Sequence, residues 1–269
     1  MQHARWTTRR GGRNARFAAL AFGALVAVAR PAAAQVSVDQ AEVFLDPRAA
    51  GPRVASFNVT NEGGAPAQVT IYLADWDRRE DGEHRFQPSG TLPHSCAKYL
   101  QVFPLSLRLP AGARQAVRLA LTGSDSLARA CWGIAFVETS SPLARTGRQI
   151  TYVTRLGVKI YVLPPGLTKE GEVEDMAMQR GDSGGKRIAI TFHATGGMPL
   201  WVRGTLEYRR ADNSVAATDS IAEFPVLPDA RRRITLPLHR LTQGKYLALA
   251  LLDYGGSEIA AGQIPLDVP

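Results

Sequence analysis

The run QITYVTRLGVKIYVL, Gln149 to Leu163, constrains the fold more than any other stretch of this chain. It contains no Pro or Asn and a single glycine, Gly157, and it is rich in β-branched and aromatic residues. Such residues favour a pleated, half-buried surface. Read as one strand, the run spans roughly 50 Å at about 3.3 Å per residue. An ordinary strand has roughly five or six residues. The run ends at Pro164-Pro165-Gly166, where neither a strand nor a helix continues easily. The surplus length needs a partner, and the chain beyond Pro-Pro-Gly needs a place of its own.

The rest of the chain reads as β structure on both sides of that break. Before it, Val36 to Leu45, Arg53 to Thr60, Ala67 to Trp76, Leu105 to Leu109, Arg114 to Leu121 and Cys131 to Glu138 are alternating or near-continuous apolar runs. Turn signals separate them: Asn61-Glu62-Gly63-Gly64, Asp81-Gly82 as a hairpin tip, and Pro110-Ala111-Gly112. Tyr99 to Phe103 is a short apolar piece, and Ser124 to Arg129 has room for one helical turn. Ser140 to Arg148 reads as a short loop leading into the long strand. After the break a second set follows: Val173–Met178, Arg187–Ala194, Leu200–Tyr208, Ser214–Pro225, Arg231–Leu238, Tyr246–Asp253 and Glu258–Val268. Leu241 to Tyr246 has the form of a tyrosine corner, in which the hydroxyl caps a loop backbone. No helical period competes over a long window. The expected fold is all-β, two immunoglobulin-like β-sandwiches in tandem, with one domain over 35–164 and a second over 165–269.

The first 34 residues have the three parts of a secretory signal. An arginine-rich segment is followed by the apolar Phe17 to Ala29, too short for a bilayer span of about 20 residues, and then by Ala32-Ala33-Ala34 before Gln35. Cleavage there leaves an exported protein that is not membrane-embedded; an uncleaved N-terminal anchor is the other reading. The formal charge of +8 is largely a property of this leader. Arg5, Arg9, Arg10, Arg13, Arg16 and Arg30 contribute +6, so residues 35 to 269 carry 8 − 6 = +2. That removes the case for nucleic acid as a partner.

Export gives weight to the two cysteines, Cys96 and Cys131, because the destination oxidises thiols. In a sandwich of this kind one lies in the C-to-D connection and the other at the E-to-F connection, at the same pole. A Cys96–Cys131 bridge is expected, with two buried free thiols as the alternative.

Nothing in the sequence assembles an active site, so no enzymatic activity and no cofactor are expected. His84, His94, His193 and His239 are widely separated, and His94 near Cys96 has no second pair to complete a metal site. Asp75, Asp77, Glu80, Asp81 and Glu83 lack the ligand order of a calcium loop and read as a solvated hairpin. Trp76, Trp132 and Trp201 each sit within a strand, where core packing is expected over a carbohydrate face.

Several segments together resemble the periplasmic pilus (fimbrial) chaperones of the chaperone–usher type, over 36–165 best. These are Val36-Ser37-Val38-Asp39 as a first strand, Phe57-Asn58-Val59-Thr60-Asn61 as a strand ending in Asn, Leu105 to Leu119 with Arg118, and Lys159-Ile160-Tyr161-Val162-Leu163-Pro164 as the end of the last strand. The resemblance implies a periplasmic chaperone, a divergent member of that family. Its partners would be a pilin-like subunit and an outer-membrane usher. In the family, the last strand of the first domain completes an unfinished pilin, and a lysine holds the pilin's terminal carboxylate. Carried over by position, Ile150, Tyr152 and Thr154 are the inserted side chains and Lys159 is the anchor. Tyr152 and Val153 cannot both face a subunit, and a bulge near Gly157 would change the parity. The family pairs its lysine with an arginine, whereas the matching position here is Glu42, or its neighbour Gln40. A structural or adhesive exported protein of two immunoglobulin-like domains is the alternative.

Overall fold

The structure, a computed structural model, describes residues 35–48, 53–123, 126–145, 148–181 and 185–268, with backbone alone between 141 and 150. The expected leader lies outside these residues, as does part of the expected helical turn at Ser124–Arg129.

Ten strands build the first sandwich: β1 (Val36–Val38), β2 (Glu42–Leu45), β3 (Val54–Asn61), β4 (Ala67–Arg78), β5 (His84–Pro88), β6 (Leu100–Phe103), β7 (Ser106–Leu109), β8 (Arg114–Leu121), β9 (Cys131–Arg145) and β10 (Arg148–Val162). One sheet has the order β1-β3-β8-β6; the other has β2-β10-β9-β4-β5, with β7 also on β4. The first strand therefore changes sheets, since β1 pairs antiparallel with β3 while β2 runs parallel to β10. Alternation explains the core. Phe57 and Val59 of β3 and Val117 and Leu119 of β8 face Val69, Ile71, Ala135, Val137, Val158, Ile160 and Val162 of the other sheet, all buried. Each such side chain stabilises by about 1.5–3 kcal/mol over its exposed state. Asn61 is fully buried at the end of β3. Its amide donates to the carbonyls of Ala65, Leu109 and Pro110 and its oxygen accepts from the Gly63 N–H, which satisfies a turn that would otherwise bury bare carbonyls.

The second sandwich has β11 (Gly171–Arg180), β12 (Lys186–Ala194), β13 (Leu200–Arg209), β14 (Val215–Val226), β15 (Arg231–Pro237), β16 (Gly244–Asp253) and β17 (Ala260–Val268). Its sheets are β11-β12-β15 and β14-β13-β16-β17. The tyrosine corner is present: Tyr246 Oη donates to the Thr242 carbonyl at 3.0 Å. The all-β tandem sandwich is thus the observed fold.

The cysteines are joined, with Cα atoms 5.2 Å apart. Asp75, read from sequence as one acid of a solvated hairpin, explains how. It is buried, and its carboxylate accepts from the Thr91 and Leu92 amides at 2.7 and 2.8 Å and from Ser95 Oγ at 2.5 Å. The Trp132 N–H donates to the His94 carbonyl at 3.1 Å. These bonds fix the segment before β6 against the start of β9, and Cys96 meets Cys131.

One further expectation is corrected. Ser140 to Arg145 is strand, not loop: β9 and β10 pair without interruption from Cys131↔Val162 to Arg145↔Arg148. Core packing holds for Trp76 and Trp132, in a cluster separate from the two sandwich cores. Trp76 and Trp132 are buried on the outer face of the β9 sheet, in a cluster with Ile134, Phe136, Tyr161 and Leu227. Trp201 of β13 meets Phe44 and Tyr161 edge-on, at centroid distances of 5.9 and 6.1 Å. Alternation shows that a strand has two faces; the apolar outer face here is covered by the second sandwich.

Candidate functional site

The surplus length of β10 is paired on one side only. Along that side, β9 accompanies it from Arg148 to Val162. On the other, β2 covers only Lys159 to Val162. From Arg148 to Val158 the second edge has no strand beside it among the described residues, a length of roughly 36 Å at about 3.3 Å per residue. The hairpin also outruns its sheet, because β4 pairs with β9 only as far as Thr139.

The register is constant through Gly157, with no bulge. That settles the parity question. Lys159 donates its N–H to the Ala41 carbonyl and Leu163 donates to Leu45, both on the β2 side. Residues of the same parity, Thr151, Val153, Arg155 and Gly157, therefore turn their N–H groups to the open edge. The side chains divide accordingly. Val158, Ile160 and Val162 enter the core and Leu156 packs against it, so Thr154 and Tyr152 lie on that same face, past the end of the core. Both are exposed, and Tyr152 keeps 55% of its surface. Ile150 shares their parity, but its side chain lies outside what is described. Val153, 58% exposed, and Arg155 lie on the opposite face. Arg155 pairs there with Glu138 at 2.9 Å and covers the Phe136 ring. The hydrogen bond from Tyr72 and the one from Arg155 hold the Glu138 carboxyl below its usual range.

Pro142 shows why the protruding hairpin tolerates a proline. It stands opposite Thr151, whose N–H faces away from β9. Its own missing N–H would have pointed away from β10, to the side that β4 no longer reaches.

Lys159 faces outward from β10, toward the second sandwich. Glu42 stands directly beside it in the β2 register, and Lys159 Nζ lies 3.2 Å from Glu42 Oε1. Glu42, rather than Gln40, is thus the neighbour of the lysine, and it occupies the ammonium. Lys159 Nζ also lies 5.3 Å from the Trp76 ring centre, a favourable place for a cation. Tyr161 stacks on Phe44 at 5.2 Å, and burial pushes its hydroxyl pKa well up, with Glu42 adding to the shift. Arg78 donates to the Gly82 carbonyl at 3.0 Å and lies 2.7 Å from His84 Nε2. Sequence reasoning missed Arg78, Tyr161 and Trp201 as part of this neighbourhood. Their only sequence signal is outward parity, which says nothing about what they meet. Among the described residues, no three His, Cys, Asp or Glu side chains are grouped to hold a metal ion.

Two histidines here give a pH signature. Burial, then Arg78 and Lys159, hold the His84 pKa below its usual value of 6.5. Burial does the same to His94, against a hydrogen bond to the Trp76 carbonyl and the charges of Asp77 and Asp75. Both fold neutral, and the unfolded chain takes up their protons first as pH falls. Their contribution to stability is whole above about 6.5 and lost as pH falls through the lowered folded values. Denaturant midpoints measured between pH 7.5 and 5 are expected to fall toward the acid end, above the carboxylate range. His84→Gln is expected to flatten that slope; an unchanged slope would reject its part in it.

No protein-family model and no curated protein matches the sequence. Solved structures do. The class 5 fimbriae chaperone CfaA matches at 14% identity and TM-score 0.49, covering 87% of this chain and 100% of that one. A chain of the CsuC–CsuE chaperone–tip adhesion subunit pre-assembly complex from Acinetobacter baumannii matches at 10% and 0.49, covering 86% and 98%. The YadV chaperone matches at 18% and 0.47, covering 86% and 99%. At these values the likeness decides nothing about the site, whose reading rests on its own residues.

Proposed function

We propose that this chain is an exported, periplasmic chaperone of the chaperone–usher type, a divergent one. In this reading it holds a pilin-like subunit by adding the open edge of β10 to the subunit's incomplete sheet, before delivery to an outer-membrane usher. The leader over 1–34 is removed on export, and the two domains divide at 164–165. The observation that carries the reading is the edge from Arg148 to Val158, paired on one side only, with Tyr152 exposed on the core-facing side of the strand. An exposed strand edge of this length is an aggregation hazard unless something occupies it. A pilin-like fold lacking one strand has the complementary need: it accepts backbone hydrogen bonds at the edge and buries alternate side chains, here Ile150, Tyr152 and Thr154.

Lys159 is the anchor for the subunit's terminal carboxylate in this reading, and Glu42 competes for it. A carboxylate arriving at Lys159 has to displace Glu42 or share the ammonium with it, so the anchor is weaker than one backed by an arginine. The test is titration of the purified chain with a purified pilin-like subunit that lacks its final strand. Lys159→Ala is expected to weaken the complex about tenfold, the equivalent of about 1.4 kcal/mol, and Glu42→Gln to tighten it. Unchanged affinity in both variants would reject the lysine as anchor. No binding by the wild-type chain would reject the chaperone reading itself.

A further inference from the structure

Arg78 and Arg232 come from different sandwiches and meet at the tip of the β4–β5 hairpin. Arg78 donates to the Gly82 carbonyl. The Arg232 guanidinium lies where a β-carbon on Gly82 would be, and Gly82 has a φ of +95°. Arg232 Nη1 donates to the carbonyls of Glu80 and Arg233, at 2.7 and 2.9 Å. The Nε atoms of both arginines are buried without a hydrogen-bond partner among the described residues.

The surrounding carboxylates are engaged elsewhere. Asp77 holds Arg85 at 2.6 Å, Asp81 and Glu83 lie beside Arg79 at 3.6 and 3.9 Å, Glu80 pairs with Arg233 at 3.4 Å, and Glu174 holds Arg231 at 2.6 Å. Arg78 and Arg232 have no ion pair to a carboxylate among the described residues. They face a cleft of about 1010 Å³ between the hairpin and β15, lined by six arginines and two acids, a lining charge of 6 − 2 = +4. Two guanidiniums cannot shed their charge. Bringing both out of water beside each other is unfavourable, and Glu42 and Asp81 offset that only from beyond ion-pair distance. An oxyanion in the cleft would accept from the N–H groups that the contacts to Gly82, His84, Glu80 and Arg233 leave free, and offset that cost.

We propose that this cleft binds one small oxyanion, a phosphate or a carboxylate, between Arg78 and Arg232. The site is separate from the Lys159–Glu42 pair and stands whether or not the chain is a chaperone. The probe is thermal unfolding of the intact mature chain in a phosphate-free buffer, with ionic strength held constant by chloride. Inorganic phosphate is titrated in one arm. In the other arms the ligand is acetate, or a short peptide with a free terminal carboxylate beside its amide. A saturable rise in Tm is expected in at least one oxyanion arm, about 3 °C at tenfold excess over Kd. The arm that responds identifies the source; a response to the peptide acid but not to its amide marks a chain terminus. Arg232→Gln and, separately, Arg78→Gln are expected to abolish the rise, each measured against that variant's own Tm without ligand. Arg203→Gln, which removes an exposed charge paired with Asp253 and outside the cleft lining, is expected to keep it. No saturable rise in any arm, or an undiminished rise in both the Arg78 and Arg232 variants, overturns the proposal.

Discussion

Val153→Pro is expected, in the proposed reading, to weaken capture of a pilin-like subunit at least tenfold while leaving this chain folded. The Val153 N–H points to the open edge of β10, because Lys159 and Leu163 of the same parity donate to the β2 side and the register between them and Val153 does not shift. A proline there removes no hydrogen bond from the β9–β10 ladder. It removes one donor that an incoming strand needs and places a ring against that strand. Affinity for the subunit is expected to fall at least tenfold, since a lost hydrogen bond of about 1 kcal/mol is joined by a steric clash. Tyr152→Pro is the matched contrast. The Tyr152 N–H faces β9, so this change breaks the hairpin itself. Calorimetry of the two variants beside subunit titration decides the matter. If Val153→Pro binds as well as wild type, the open edge is not where the subunit sits.

Loss of the Cys96–Cys131 bridge is expected to have the largest effect on stability. The cross-link joins residues 35 apart in sequence. On chain-entropy grounds a loop of this size stabilises by about 4 kcal/mol, a large part of a typical total of roughly 5–15 kcal/mol. The Cys96→Ser/Cys131→Ser double variant is expected to unfold about 10 °C lower. Folded structure should remain below that transition, because Asp75 still holds the Thr91 and Leu92 amides and Ser95. A shift below about 2 °C would show that the bridge adds little to stability.

The strands of both cores were legible because they bury one face. Phe57 and Val59, or Val158 and Ile160, alternate with residues that avoid the core, and the period is visible without any partner. The turn at Asp81-Gly82 was legible for a similar reason, since the positive φ of Gly82 is a local requirement. Ser140 to Arg145 was misread as a loop. That segment lies beyond the reach of β4, and its sequence, Ser-Ser-Pro-Leu-Ala-Arg, carries no apolar alternation to detect. Asp75 was misread because a buried carboxylate held by two amides and a hydroxyl looks, in sequence, like any other acid of a polar hairpin.

For the candidate site, sequence alone determined that β10 would be too long for its own sandwich, that Lys159 would lie toward its C-terminal end, and that Glu42 or Gln40 would stand where the family resemblance has an arginine. Those are matters of length, parity and order along the chain. Only the tertiary structure decided which edge of β10 is open, that the parity survives Gly157, that Glu42 takes the lysine ammonium at 3.2 Å, and that Arg78 meets Arg232. The last two residues are separated by most of the chain, and local periodicity holds no information about which faces of two sandwiches meet. That is fixed by the packing of Trp76, Trp132 and Tyr161 against the second sandwich at Leu227 and Ala230.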